Sequence, residues 1–181
     1  ALIAEHFAGM PVVVCANLPY YITSPIIMRL LEGPLPIRSL TVMVQKEAAV
    51  RITAAPGTRE CGAISAAVWY YSTPKLLFPV SRGSFLPAPA VDSAVIRLDL
   101  PQELPEDLPP REDFFAVVRA GFGQRRKTML NSLSAGLRWE KDATRALLTA
   151  AGIAENARAE QVTLEQWKAL TRAYFSMKKS R

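Results

Sequence analysis

The chain has 181 residues, half of them hydrophobic, and a formal net charge of +6. This length is enough for one substantial core or two small ones. No run approaches the roughly 18 uncharged apolar residues that a membrane span needs, and the N-terminus shows no signal-peptide pattern, so we expect a globular, cytoplasmic protein with no membrane partner.

Charge is unevenly distributed along the chain. Residues 1–110 contain eight Lys/Arg and nine Asp/Glu, whereas residues 111–181 contain fourteen and seven. A basic excess confined to one part favours a polyanionic partner, of which nucleic acid is the commonest inside cells. A solvated basic face without a partner is the alternative.

The two cysteines, Cys15 and Cys61, have neither metal-ligand nor redox spacing. We therefore expect no metal site, two reduced thiols, and burial of Cys15 within a strand.

The first predicted element is a strand over 12–16 that ends in the turn Asn17-Leu18-Pro19-Tyr20. Its small and β-branched residues carry no charge, which is typical of a strand buried on both faces in a parallel sheet. Ligands of open α/β sheets bind beyond the carboxyl ends of the strands, so the turn is a candidate site. An Asn-x-Pro turn is also a common structural connection after a strand.

The turn carries groups suited to the exocyclic amine of a nucleobase. The Asn17 side-chain oxygen and the Leu18 backbone carbonyl form a pair of acceptors for its two N–H bonds, which favours the pyramidal, nucleophilic amine. Pro19 stiffens the turn that aims these acceptors. Tyr20 offers a flat face on which an unstacked base gains about 1–3 kcal/mol.

Helices and strands alternate after this turn. Ser24 is predicted to cap a helix that begins at Pro25 and ends before Gly33. The further predicted elements are a strand over 40–45, helices over 46–52 and 62–71, and an antiparallel pair of strands over 75–80 and 92–98 at one sheet edge.

A proline-stiffened loop connects that antiparallel pair. It contains Phe85, Pro87 and Pro89. If the prolines hold the chain extended, Phe85 has no obvious core to enter. A buried structural Phe85 remains the alternative.

A segment rich in proline and acidic residues, 102–110, is predicted to be a linker. The composition then changes, and helices are predicted over 112–122, from the basic turn at 123–128 onwards, over 141–151, where Gly152 ends the helix, and over 164–177. The adjacent cations Arg125, Arg126 and Lys127 are unfavourable for the dipole at a helix start, which favours contact with phosphate groups as the reason for their presence.

Three segments in this order resemble the ribosomal RNA adenine N6-dimethyltransferases of the KsgA type. They are Asn17-Leu18-Pro19-Tyr20, the Phe-x-Pro-x-Pro-x-Val-Asp-Ser segment from Phe85 to Ser93, and Phe122 with Gln124-Arg125-Arg126-Lys127-Thr128. The resemblance implies dimethylation of two adjacent adenines in small-subunit rRNA of an immature 30S-type subunit. It implies S-adenosyl-L-methionine as cofactor and makes Asn17, Leu18, Pro19, Tyr20 and Phe85 the catalytic candidates, with Phe85 and Tyr20 on opposite faces of the flipped base.

The same resemblance predicts the fold and the domains. Residues 1–101 would form the C-terminal half of a Rossmann-like class I methyltransferase sheet of the α/β class, and residues 111–181 a small all-α domain in which Arg125, Arg126 and Lys127 bind RNA. Family members begin with a Gly-rich turn and acidic ribose-binding residues, whereas the only glycine before Asn17 is Gly9. We therefore expect a fragment in which Asn17 is the one cofactor-side position and the first strand is a bare sheet edge.

Two other functions remain open at this point. One is a noncatalytic RNA-binding or ribosome-assembly module that uses only the basic helices. The other is a large-subunit rRNA adenine methyltransferase, a relative with similar motifs.

Overall fold

The computed structural model describes residues 5, 6, 10–102 and 108–179, and the chain forms two compact units. The first unit contains the described residues up to Thr53 together with 68–102, and the second contains 54–67 and 108–179. The segment 54–67 thus groups with the helical unit, although the sequence placed it in the first domain. In that segment Gly57 has a φ of +96°, and a Cβ built there would lie 3.3 Å from Cγ2 of Thr163. Residues 103–107 of the predicted linker lie outside the described residues.

A mixed four-stranded sheet forms the first unit. Its strands are β1 (Val12–Asn17), β2 (Ile37–Gln45), β3 (Thr73–Val80) and β4 (Ser93–Asp99), in the order β1-β2-β4-β3. β1 pairs with β2 in parallel, and β4 is antiparallel to both β2 and β3. The predicted α/β class and the predicted antiparallel pair at one sheet edge are therefore confirmed.

Strand β1 is an edge strand of this sheet. Burial on both faces was a wrong prediction, because Val13, Cys15 and Asn17 alternate as exposed residues with half-buried ones. Cys15 is accordingly exposed, whereas Cys61 is buried. The apolar composition of β1 suits a strand with neighbours on both sides, and among the described residues it has one, β2.

Helices α1 (Thr23–Glu32), α2 (Lys46–Thr53) and α3 (Ala63–Tyr71) alternate with the strands, and the division between the units falls within α3. Helix α1 begins at Thr23, with no side-chain cap, so the predicted cap at Ser24 is wrong. Helix α2 packs on β2, β3 and β4. The largest fully buried side chains of the first unit come from α1, α2, β2 and β4: Ile27, Leu40, Ile52, Ile96 and Leu98.

The second unit contains four helices that pack on one another: α4 (Arg111–Phe122), α5 (Met129–Leu137), α6 (Lys141–Ala150) and α7 (Leu164–Lys179). Trp167 lies at its centre with no exposed surface, and its ring stacks on Phe122 with centroids 5.6 Å apart. Gly152 follows the C-cap of α6 in a left-handed conformation with φ +64°, and the helix ends there as the sequence predicted. Throughout the described part of the chain, each helix is too short or too polar to cross a membrane.

Replacement of Gly136 by alanine should destabilise the second unit. A Cβ at this position would lie 2.6 Å from Cα and Cβ of Ala120, so α4 and α5 would have to separate. Overpacking of this kind costs about 1–3 kcal/mol, more than the gain in helix propensity. Urea unfolding followed by circular dichroism measures the change. Gly83→Ala is the control, since its Cβ would lie at an ordinary 3.6 Å from Ser81 Oγ. Equal midpoints for the two variants would contradict the close helix contact.

Candidate active site

The turn after β1 is held by its own backbone. The Leu18 N–H donates to the Met43 carbonyl on β2 at 3.1 Å, which continues the parallel ladder by one residue. The Pro19 carbonyl accepts from the Ile22 N–H and from the Thr23 hydroxyl, each at 3.2 Å. Pro19 has a φ of −60°, the value that its ring imposes. The chain is thereby directed from the end of β1 into a 3₁₀ turn that begins at Tyr20.

Tyr20 is fixed by a residue from a distant part of the sequence. Its hydroxyl lies 2.6 Å from Oγ of Ser93, the first residue of β4. Ser93 has no exposed surface, whereas Tyr20 is half-buried. Because β4 is an interior strand, the serine is held by the sheet and sets the direction of the phenol ring.

Hydrogen bonds join the two ends of the loop between β3 and β4, and we call this joined part the neck of the loop. The Asp92 carboxylate accepts from the Arg82 N–H at 3.0 Å, and the Arg82 guanidinium donates to the Ala90 carbonyl at 3.3 Å. The Asp92 carbonyl also accepts from the Lys46 N–H at 3.0 Å. Phe85 lies within this loop in an extended conformation and is half-buried. The alternative of a fully buried structural Phe85 is therefore wrong.

The turn and the loop together line one open cleft of about 360 Å³. All five residues that the sequence singled out for chemistry contribute to it, with two loop prolines: Asn17, Leu18, Pro19, Tyr20, Phe85, Pro87 and Pro89. Asn17 is exposed, and its carboxamide makes no hydrogen bond to any residue that the structure describes. The cleft therefore combines two aromatic rings with neutral amide and carbonyl acceptors, a set that suits a flat base bearing an amino group.

A second cleft of about 410 Å³ is lined by residues from the end of β2, the start of α2 and the two ends of the β3–β4 loop. Its lining is polar and includes both signs of charge: Gln45, Lys46, Glu47, Arg82, Ala90, Val91 and Asp92. The segment from Gln45 to Glu47 thus lies beside the loop that carries Phe85. Its backbone bond from Lys46 to Asp92 gives that segment a structural role.

Arg125, Arg126 and Lys127 lie in the second unit and are exposed. They occupy the turn before α5, whose N-cap is Thr128, so the predicted basic turn leading into a helix is confirmed. None of the three pairs with a carboxylate in the part of the chain that the structure describes. Three adjacent, uncompensated cations on a turn remain free to contact phosphate.

The ion pairs of Asp99 with Lys75 and Arg97 involve no residue that lines the first cleft. Hydrogen bonds from Arg97 and Lys75 lower the pKa of Asp99, which ends β4 six residues after Ser93. In the second unit, burial raises the pKa of the Cys61 thiol. The lining of the first cleft contains no carboxylate and no ammonium or guanidinium group.

Comparison with solved structures defines the class of fold. The chain superposes on the crystal structure of a dimethyladenosine transferase from Plasmodium falciparum with a TM-score of 0.73 and 22% identity, over 91% of this chain and 66% of the other. It superposes on the 23S rRNA methyltransferase ErmE with a TM-score of 0.65 and 28% identity, over 90% and 65% of the two chains. The fold is that of the rRNA methyltransferases.

Residues 5–175 match the ribosomal RNA adenine dimethylase family, and the chain belongs to that family. Curated relatives named ribosomal RNA small subunit methyltransferase A include those of Alkaliphilus oremlandii, 52% identical over 171 residues, and Clostridioides difficile, 44% identical over 170 residues. These matches cover 93% and 94% of this chain but 59% of each relative. The chain thus spans about three-fifths of the length of the curated relatives.

Ser93, which bonds to Tyr20, was not among the site residues predicted from the sequence. Ser93 was part of a recognised motif, but no role was assigned to it. The sequence did contain one signal for a role of Ser93. A polar residue stands at the first position of the apolar strand β4, directly after Asp92. Its partner Tyr20 is 73 residues away in sequence, so only the folded sheet shows the contact.

Proposed function

We propose that this chain supplies the target-base half of an S-adenosyl-L-methionine-dependent adenine N6-dimethyltransferase of small-subunit rRNA. The observation that supports it most directly is the cleft in which Asn17, Leu18, Tyr20 and Phe85 meet. The names of the curated relatives support small-subunit rRNA as the substrate. We place the reaction on an assembling 30S-type subunit in the cytoplasm. Two adjacent adenines are the targets that the family resemblance implies.

In this mechanism the adenine leaves its stack and enters the cleft between Tyr20 and Phe85. Stacking offsets part of the few kcal/mol that unstacking costs. Asn17 and the Leu18 carbonyl accept the two amino hydrogens, which concentrates the lone pair on nitrogen. Pro19 holds these acceptors in place, as its two hydrogen bonds to the start of α1 indicate. The amine lone pair would then be available to form the N–CH3 bond as the S–CH3 bond of the donor breaks, and the surplus N–H proton would leave to water, since no charged base lines the cleft.

S-adenosyl-L-methionine would supply the methyl group as an electrophile. Of the residues in this chain, Asn17 is the one that we assign to the cofactor side as well as to the base. Its exposed, uncommitted carboxamide fits a polar ligand because it offers two donors and one acceptor oxygen. Its position at the carboxyl end of β1 is where ligands of such sheets bind.

We assign Arg125, Arg126 and Lys127 to contact with the rRNA backbone. Their exposure and lack of described ion pairs support this role. The seven-charge excess of the C-terminal part gives the surrounding unit the same sign. Such contacts position the substrate and do not select the base.

The experiment that tests the function measures transfer of labelled methyl groups from S-adenosyl-L-methionine to isolated ribosomal particles by the full-length protein. We expect labelling of immature small subunits, with dimethyladenosine as the product, and little labelling of large subunits. Labelling of large subunits instead would favour the large-subunit methyltransferase, a candidate that the likeness to ErmE keeps open. RNA binding without any methyl transfer would favour the noncatalytic assembly module.

Replacement of Arg125 and Arg126 by alanine should weaken RNA binding and flatten its salt dependence. Each lost phosphate contact reduces the slope of log K against log salt by about 0.7–0.9. Filter binding of small-subunit rRNA at several salt concentrations measures that slope. The charge-matched control is Arg119→Ala with Lys141→Ala, two exposed cations of the same unit. An equal change in both double variants would contradict the assignment, because only overall charge would then matter.

A further inference from the structure

Two consecutive residues, Asp92 just before β4 and Ser93 at its start, form hydrogen bonds to the two segments that carry the aromatic rings of the cleft. Ser93 reaches Tyr20 through its hydroxyl at 2.6 Å. Asp92 reaches the loop that carries Phe85 through the Arg82 N–H at 3.0 Å. We infer that Asp92 and Ser93 are positioning residues that set the placement of Phe85 and Tyr20 around the target base, an inference that rests on the proposed function.

Ser93 is suited to this task by its burial. It has no exposed surface and pairs on both sides within the sheet, with Gln45 on β2 and Val80 on β3. The backbone of Ser93 is therefore fixed on both sides. Tyr20 is half-buried on a short 3₁₀ turn, and its hydroxyl bonds to no described residue other than Ser93. The hydrogen bond therefore holds the Tyr20 ring in place relative to the sheet.

Asp92 acts on the loop that carries Phe85. Its carboxylate closes a ten-residue span back to Arg82, and its carbonyl is held by the Lys46 N–H at the start of α2. The Arg82 side chain donates to Ala90 across the same neck. Phe85 lies three residues after Arg82 and donates its N–H to the Arg82 carbonyl at 3.3 Å. The position of the Phe85 backbone is thus linked to the Asp92 carboxylate through Arg82.

Double-mutant cycles test the two routes separately. We expect Ser93→Ala and Tyr20→Phe each to lower kcat for methyl transfer to immature small subunits by about fivefold to tenfold, since each removes one neutral hydrogen bond. The double variant should be no slower than either single variant, because both changes remove the same bond. Multiplication of the two effects, or an unchanged kcat for Ser93→Ala, would overturn the role of Ser93.

The second cycle concerns the loop. Asp92→Ala should lower kcat in the unmodified protein and have no further effect in a Phe85→Ala background. Asp92→Asn keeps the acceptor oxygen and should restore most of the activity. Independent effects of Asp92→Ala and Phe85→Ala, or failure of Asp92→Asn to restore, would overturn the role of Asp92. Ser39→Ala, a change at a buried serine of β2, controls for loss of a buried hydroxyl elsewhere in the sheet.

A binding measurement needs no turnover and separates this inference from the proposed function. Fluorescence of 2-aminopurine riboside is quenched when the base stacks on an aromatic ring, so titration with protein reports occupancy of the cleft. We expect Ser93→Ala and Asp92→Ala to weaken this binding several-fold and Ser39→Ala to leave it unchanged, with similar unfolding midpoints. Equal binding by all variants would overturn the inference. Absence of methyl transfer by the unmodified protein, with this binding pattern intact, would contradict the proposed function alone.

Discussion

Replacement of Asn17 by alanine in the full-length protein should lower methyl transfer by about 100-fold to 1,000-fold, the usual loss when one preorganised polar group is removed from a reacting centre. The alanine variant leaves the Leu18 carbonyl as the single acceptor for the amine hydrogens. The fold should be preserved because the Asn17 carboxamide is exposed and makes no hydrogen bond to the described residues. Initial rates of labelled methyl transfer to immature small subunits measure the effect.

Asn156→Ala is the matched control, since Asn156 is exposed in a turn of the second unit. It should keep the rate of the unmodified protein. RNA binding by Asn17→Ala should also be unchanged, because the basic turn at Arg125 to Lys127 is intact. A rate within threefold of the unmodified protein would show that the amide takes no part in the reaction.

Replacement of Phe85 by alanine should lower methyl transfer by about fivefold to 150-fold, which corresponds to the 1–3 kcal/mol of one base-aromatic stack. Tyr20→Ala should have an effect of similar size, because the second ring would be lost from the same cleft. Phe85→Tyr keeps a flat ring and should retain most of the activity. Steady-state rates with immature small subunits measure these changes.

The control for ring removal is Phe78→Ala, which deletes an exposed phenylalanine of β3 in the same unit. Phe78 lies outside the residues that line the cleft, so methyl transfer should be unaffected. Thermal unfolding of all variants identifies any loss of folded protein. Equal rates for Phe85→Ala and Phe78→Ala would show that Phe85 does not hold the base.

Local sequence patterns predicted most of the elements because their determinants lie within a few residues. Uncharged β-branched runs predicted β1 and β2, and Gly152 predicted the end of α6 through its left-handed φ. Helix starts were predicted to within one residue at α2, α3, α4, α6 and α7, but the start of α1 was not. Ser24 has the chemistry of a cap, yet α1 begins at Thr23, whose hydroxyl bonds to the Pro19 carbonyl four residues earlier. Competition between two neighbouring hydroxyls cannot be resolved from residue types alone.

By itself, the sequence determined the α/β class, the turn after β1, the aromatic and amide groups of the cleft, and the position of the basic turn. Only the tertiary structure decided that Cys15 is exposed, that residues 54–67 pack with the helical unit, and that Ser93 holds Tyr20. The physical reason is the range of the interactions. Turns and strands follow from neighbouring residues, whereas exposure at a sheet edge and a hydrogen bond across 73 residues depend on which strands become neighbours.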